Sequence, residues 1–243
     1  MNKTCLSYWF PRIKDLPEIK VPRTEMVFVS SADMVEMMGI LDGKKSRAFD
    51  HLVESLLSVV KDKFEYPVFL RTGLGSGKHE WSNTCFVPSA AEMAHHVIRL
   101  MDWSMCVDLS FDVWVLREML EPDTVLWPTF HAFQGMPIVR EFRCFGSDGK
   151  LTCIHPYWPP DAIRNPIPKR GWKKKLASIS ILDEQTEAHI KSKTEDVTAC
   201  LGGYWSVDWL WCKNGWFLTD MAEGEKSFHW PGCERTECNE TRG

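Results

Sequence analysis

Apolar residues recur at Phe49, Leu52, Val53, Leu56, Leu57, Val60 and Phe64, and this spacing predicts an amphipathic helix over 45–64. A short apolar run at 66–70 then predicts a buried strand, with a second strand over 26–30 (MVFVS) and a return strand over 82–87. Ser89 is placed to cap a helix reaching about residue 103, with Glu92 completing a capping box. His95 and His96 on that helix are expected at the surface. A β-rich run covers 112–119. Over 138–145, Val139, Glu141 and Arg143 alternate with Arg140, Phe142 and Cys144. A turn signal, Ser147-Asp148-Gly149-Lys150, leads into a returning strand at 151–155. A helix is predicted over 183–201, stopped by Gly202-Gly203. Strands at 204–212 and 216–221 flank Lys213-Asn214-Gly215, a strong hairpin signal. The proline-punctuated 1–25 segment reads as extended, and 156–175, with five prolines, as irregular.

Strands and helices in the first half followed by a strand-rich second half predict an α+β protein of two lobes. The expected divisions are an N-terminal segment with the first helix (1–65), a smaller lobe (66–115) and a larger lobe with a loose tail (116–243). Composition changes this picture little: 44% hydrophobic and 26% charged residues are globular values. A net charge of −4 argues against a nucleic-acid partner, and no apolar stretch suits a membrane span. The first residues lack the apolar core of a signal peptide, so an intracellular, cytoplasmic location with reduced thiols is expected for the nine cysteines. The absence of any CxxC argues against a structural zinc site.

Candidate chemistry starts at residues 66–81, YPVFLRTGLGSGKHEW. Arg71 ends a strand, a turn rich in glycine follows, and Lys78 closes it. Exposed backbone N–H groups between two cations suggest a phosphate site. It is not a P-loop, because Thr72 and His79 stand where that motif needs glycine and a hydroxyl. The plain alternative is a solvated loop. Charge also sits at other strand ends: Arg117-Glu118, the same-face pair Glu141 and Arg143, and Asp208 and Asp220 on the last hairpin. The hairpin turn would let Asp208 and Asp220 converge, and with Glu223 they could hold Mg²⁺ while Arg71, Lys78 and Arg143 face phosphates. Glu141 and Arg143 could instead be a structural ion pair. The basic run KRGWKKK at 169–175 reads as a solvated loop or a phosphate-covering flap.

The order of these motifs resembles the ATP-grasp superfamily, and within it the divergent clade related to the cell-division-cycle protein 123 family and its bacterial and phage relatives. The matching segments are FLRTGLGSGKHEW at 69–81, VLRE at 115–118, REFRCF at 140–145, and VDW at 207–209 with LTDMAE at 218–223; FHW at 228–230 resembles the closing segment. The resemblance implies two α+β lobes with a nucleotide clasped between antiparallel sheets. It implies ATP contacts from Arg71, Ser76, Gly77, Lys78, Glu141 and Arg143, with the backbone of Leu116, Arg117 and Glu118 framing the adenine. Lys78 and Arg143 would be the catalytic cations, and Asp208, Asp220 and Glu223 the Mg²⁺ ligands. Two departures stand out. Arg71 replaces a lysine of many relatives, and Ala222 replaces a metal-binding asparagine, so that either Glu223 substitutes or one metal position is lost. The implied activity is ATP-dependent ligation of a carboxylate to an amine or thiol through an acyl-phosphate. The alternatives are an ATP-binding assembly protein with a protein partner and little turnover, or a phosphotransferase of another fold. A phage origin is left open.

Overall fold

The computed structural model describes residues 2–230. In chain order its elements are α1 (Leu6–Ile13), β1 (Thr24–Phe28), α2 (Ser31–Met38), α3 (Arg47–Lys63), β2 (Val68–Thr72), β3 (Phe86–Val87), α4 (Met93–Cys106), β4 (Val113–Glu118), β5 (Phe130–Ala132), β6 (Met136–Ile138), β7 (Glu141–Ser147), β8 (Lys150–Pro156), α5 (Trp172–Ile179), α6 (Glu184–Leu201), β9 (Tyr204–Cys212) and β10 (Gly215–Glu223). The chain divides into two compact units. The larger holds residues 2–21, 121–132 and 137–230; the smaller holds Pro22–Leu120 and Phe133–Met136. The expected division at 65 is therefore corrected. Residues 22–65 belong with the 66–115 segment because β1 pairs with β4 and α3 packs into the same core, while 2–21 belong with the larger unit. The tail from Cys233 onward lies outside the described residues.

In the smaller unit an antiparallel sheet of order β1-β4-β2-β3 carries α3 and α4 on one face. Strand alternation turns Val68, Leu70, Trp114 and Leu116 to that face, where they meet Leu52, Leu56 and Val60 of α3 and Val97, Leu100 and Met101 of α4. Ser46 starts α3 by accepting the Phe49 N–H at 3.1 Å. Ser89 does not cap α4 through the backbone; its hydroxyl bonds the Glu92 carboxylate at 3.2 Å, and a 3-10 turn precedes the helix. His96, expected outside, is fully buried on α4, with Nδ1 2.9 Å from the Thr84 carbonyl oxygen and Nε2 without a partner. Burial, opposed by the Thr84 bond, pulls its pKa below the ordinary imidazole value. The folded state thus prefers neutral His96. Its stability contribution is present above the unfolded pKa of about 6.5 and is lost as pH falls below it. Denaturation midpoints are expected to drop between about pH 7 and about pH 5, and to drop less for His96→Met; an equally steep profile in the variant would assign the dependence elsewhere.

In the larger unit the sheet order is β10-β9-β7-β8, all antiparallel. Helix α6 covers one face. Asp183 caps it by accepting the Thr186 N–H at 2.8 Å, and Trp209 donates from its ring nitrogen to Thr194 at 2.9 Å. Gly146 lets the helix come close, since a Cβ there would lie 3.1 Å from Thr198. The segment expected to be extended instead contains α1. Leu6, Trp9, Phe10 and Ile13 are all buried on one helical face, and that burial outweighs the bond lost at Pro11. Helices α2 and α5 were likewise not predicted. Among the described residues no helix is long and apolar enough to cross a membrane.

Candidate functional site

The face of the larger unit's sheet opposite α6 carries a polar row. Direct cross-strand partners point the same way, and the register runs Asp220 opposite Asp208, Asp208 opposite Arg143, and Arg143 opposite His155. A bulge makes this row. Leu218 pairs with Trp209, Thr219 is extra, and pairing resumes with Asp220 opposite Asp208. Without the extra residue Thr219 would oppose Asp208, and Asp220 would turn to the other face. The convergence expected for the two aspartates therefore depends on a device that turn counting does not supply.

Asp208 is buried and receives the fork of Arg143: Nε to Oδ1 and Nη2 to Oδ2, each at 2.8 Å. The guanidinium carbon of Arg143 lies 4.7 Å from the Tyr157 ring centroid. Burial opposes the Arg143 charge, but the Asp208 carboxylate raises its pKa above the ordinary arginine value. Glu141, on the same face as Arg143, is buried and accepts the ring N–H of Trp158 at 3.1 Å. Asp220 is half-buried, and its Oδ1 accepts the N–H of Met221 at 3.0 Å.

The donor set suits Mg²⁺, which takes hard oxygen ligands and is commonly held by one or two carboxylates beside substrate phosphates. Like charges directly opposite each other are unfavourable, and Arg143 offsets the charge of Asp208. Glu223 does not join the two aspartates. Alternation from Asp220 puts it on the other face, and its carboxylate is paired with Lys226. Ala222 is the residue that shares the Asp220 face, and it brings no donor atom.

The smaller unit holds the remaining candidates. Arg71 is buried in β2, and its Nε donates to the Thr72 carbonyl at 3.0 Å. Lys78 begins a 3-10 turn after Gly77. Burial pushes the Cys85 thiol pKa up to about 12, opposed first by a bond with Thr84 and then by the Lys78 and Arg71 charges. The expected backbone nest is not formed by Gly73 and Gly75. The Gly73 N–H donates to the Val113 carbonyl at 2.7 Å, and the Gly75 N–H donates to the Thr72 hydroxyl at 3.1 Å. Gly75 is glycine for packing, since a Cβ there would lie 2.6 Å from the Trp103 ring. Gly77 has φ +59 and lies against Thr84 and Trp103, and Ser76 beside it is half-buried. The adenine frame expected from the backbone of Leu116 to Glu118 also needs correction. Strand β4 lies between β1 and β2, so its backbone groups are directed into two ladders. The side chains are engaged too: Leu116 in the core, Arg117 Nε on the Thr24 hydroxyl at 3.1 Å, and Glu118 on the Arg23 N–H at 2.8 Å.

No protein-family model matches the sequence, and neither does any curated protein. The fold does match solved structures. Cdc123 from Schizosaccharomyces pombe superposes with a TM-score of 0.54 at 12% identity, covering 91% of this chain and 83% of that one. A C-terminally truncated Cdc123 from the same organism gives 0.53 at 13% identity, covering 92% and 86%. A RimK domain ATP-grasp protein from Sphaerobacter thermophilus gives 0.48 at 11% identity; this chain is covered over 91% but spans only 58% of that protein. At these identities the likeness is one of fold: this α+β chain shares its fold with Cdc123.

Proposed function

We propose that this chain binds ATP with Mg²⁺, and that Asp208 and Asp220 hold the metal while Arg143 orients Asp208 and faces the transferring phosphate. The observation that supports this most is the row Asp220, Asp208, Arg143 on the sheet face opposite α6. Arg71 and Lys78 are the nucleotide-phosphate cations of the smaller unit, Arg as a fork and Lys as a point charge. Bound Mg²⁺ would neutralise phosphate oxygens. The reaction class is ATP-dependent ligation. A substrate carboxylate oxygen attacks the γ-phosphorus, ADP leaves, and an acyl-phosphate results. An amine then attacks the acyl carbon, loses a proton and expels phosphate. The protein's part is placement and charge stabilisation, and none of its side chains becomes a covalent nucleophile.

A second reading is an ATP-binding assembly protein with little turnover. One observation favours it: Ala222 brings no ligand to the Asp220 face. Calorimetric titration of ATP with and without Mg²⁺ tests the common part. Mg²⁺-dependent binding is expected, and Asp220→Asn should weaken it about tenfold or more, roughly 1.4 kcal/mol. Absence of adenine-nucleotide binding by the folded chain would remove both readings. ADP formation on adding amino acids or peptides would select the ligase.

A further inference from the structure

At the far end of the polar row, three side chains of a different chemistry come together. Cys153 and His155 share a face of β8, and His229 comes from the segment after β10. One ligand atom from each lies within 4.8 Å of the others, and Cys153 Sγ is 3.0 Å from His229 Nε2. His155 is nine-tenths buried, and its Nε2 has no hydrogen-bond partner, an orphaned ring nitrogen of the kind a metal satisfies. We propose that Cys153, His155 and His229 form a binding site for a transition-metal ion of the Zn²⁺ class, separate from the aspartate pair.

The donor atoms decide the class. One thiolate and two imidazoles favour Zn²⁺ over Mg²⁺, which prefers oxygen. In a tetrahedral zinc site with bonds of about 2.0–2.3 Å the ligand atoms stand roughly 3.3–3.6 Å apart. The ligand atoms of this cluster, all within 4.8 Å of one another, span that spacing and slightly more. Three protein ligands leave a fourth position for water or a substrate atom. The Arg143 charge, the nearest opposition to a cation, is already met by Asp208. Aromatic walls enclose the cluster: Phe145 lies 4.4 Å from the His229 ring and Trp230 is parallel to His155 at 6.2 Å. One sheet face would then carry a hard-ligand end at Asp208 and Asp220 and a soft-ligand end at Cys153 and His155.

Titration of the full chain with Co²⁺, followed by absorbance, tests the site. The expected result is one equivalent bound, with a thiolate-to-cobalt charge-transfer band and the strong visible bands of four-coordinate cobalt, both abolished by Zn²⁺. Cys153→Ser should remove the charge-transfer band and weaken affinity about 100-fold or more, and His229→Ala should weaken it similarly with the thiolate band reduced. The double variant Cys233→Ser/Cys238→Ser should keep the band. No binding by the wild type, or a band that survives Cys153→Ser, overturns the proposal. Circular dichroism of each variant separates lost ligands from lost fold. ATP binding by Cys153→Ser should equal that of the wild type, so failure of the nucleotide reading and failure of the zinc site are separate outcomes.

Discussion

Asp208→Ala is expected to cost about 3–5 kcal/mol of stability, because it strands the Arg143 guanidinium without its partner. The side chains of Asp208 and Arg143 are only 5% and 19% exposed, and both fork bonds are 2.8 Å long. Chemical denaturation reads the effect as a shift in midpoint at constant slope. The double variant Asp208→Leu/Arg143→Met should recover most of the loss, since apolar residues of similar volume replace a buried pair at little cost. A single-variant cost under about 1 kcal/mol would mean that the pair behaves as a surface bridge. The result bears on function. Lost nucleotide binding in an Asp208 variant mixes metal loss with a damaged sheet, and for this reason Asp220 is the better probe of the metal.

Arg140→Leu is the second large effect, also about 3–5 kcal/mol. Arg140 has a side chain only 1% exposed and sits just before β7. Nη1 donates to the carbonyls of Ile179 at 3.2 Å and Ile181 at 2.6 Å, and Nη2 donates to Asp183 at 3.1 Å and Thr186 at 3.3 Å. Its guanidinium carbon stands 3.9 Å from the Trp127 ring centroid. One residue therefore fixes the end of α5, the connection after it and the cap of α6. Removing it leaves several acceptors without a donor. Arg140→Lys should fall between, since one ammonium cannot reproduce the fork. Denaturation gives the magnitude, and faster proteolysis around residues 176–186 would locate it; unchanged proteolysis there would place the loss elsewhere.

The long periodic elements were legible because local pattern and tertiary burial agree. Helix α3 shows its buried stripe, α6 its Gly202 stop, and β9 and β10 their Asn-Gly turn. Helix α1 was hidden by Pro11 and its neighbours, although Leu6, Trp9, Phe10 and Ile13 carry helical spacing. The candidate site was half legible. The sequence pattern named Asp208, Asp220 and Arg143, but not that Arg143 is bonded to Asp208, because cross-strand register and the Thr219 bulge are properties of the folded pair. Glu223 was misplaced for the simplest reason, one step of strand alternation. The glycine turn suggested phosphate where Trp103 packing explains Gly75. The Cys153, His155 and His229 cluster gave no signal beyond a Cys-x-His pair, since its third member arrives from far along the chain.

The larger unit is closed by its first residues. The Leu218 N–H of edge strand β10 donates to the Lys20 carbonyl at 2.8 Å, and the Glu223 N–H donates to the Thr4 hydroxyl across 219 positions of sequence. On a ribosome adding about 5–20 residues per second, the apolar stripe of α1 waits roughly 10–40 s for its partners. The Pro22–Leu120 segment needs no such delay, being nearly continuous. Synthesis thus imposes a schedule in which the middle of the chain matures first, while the opening segment waits until the last hairpin emerges.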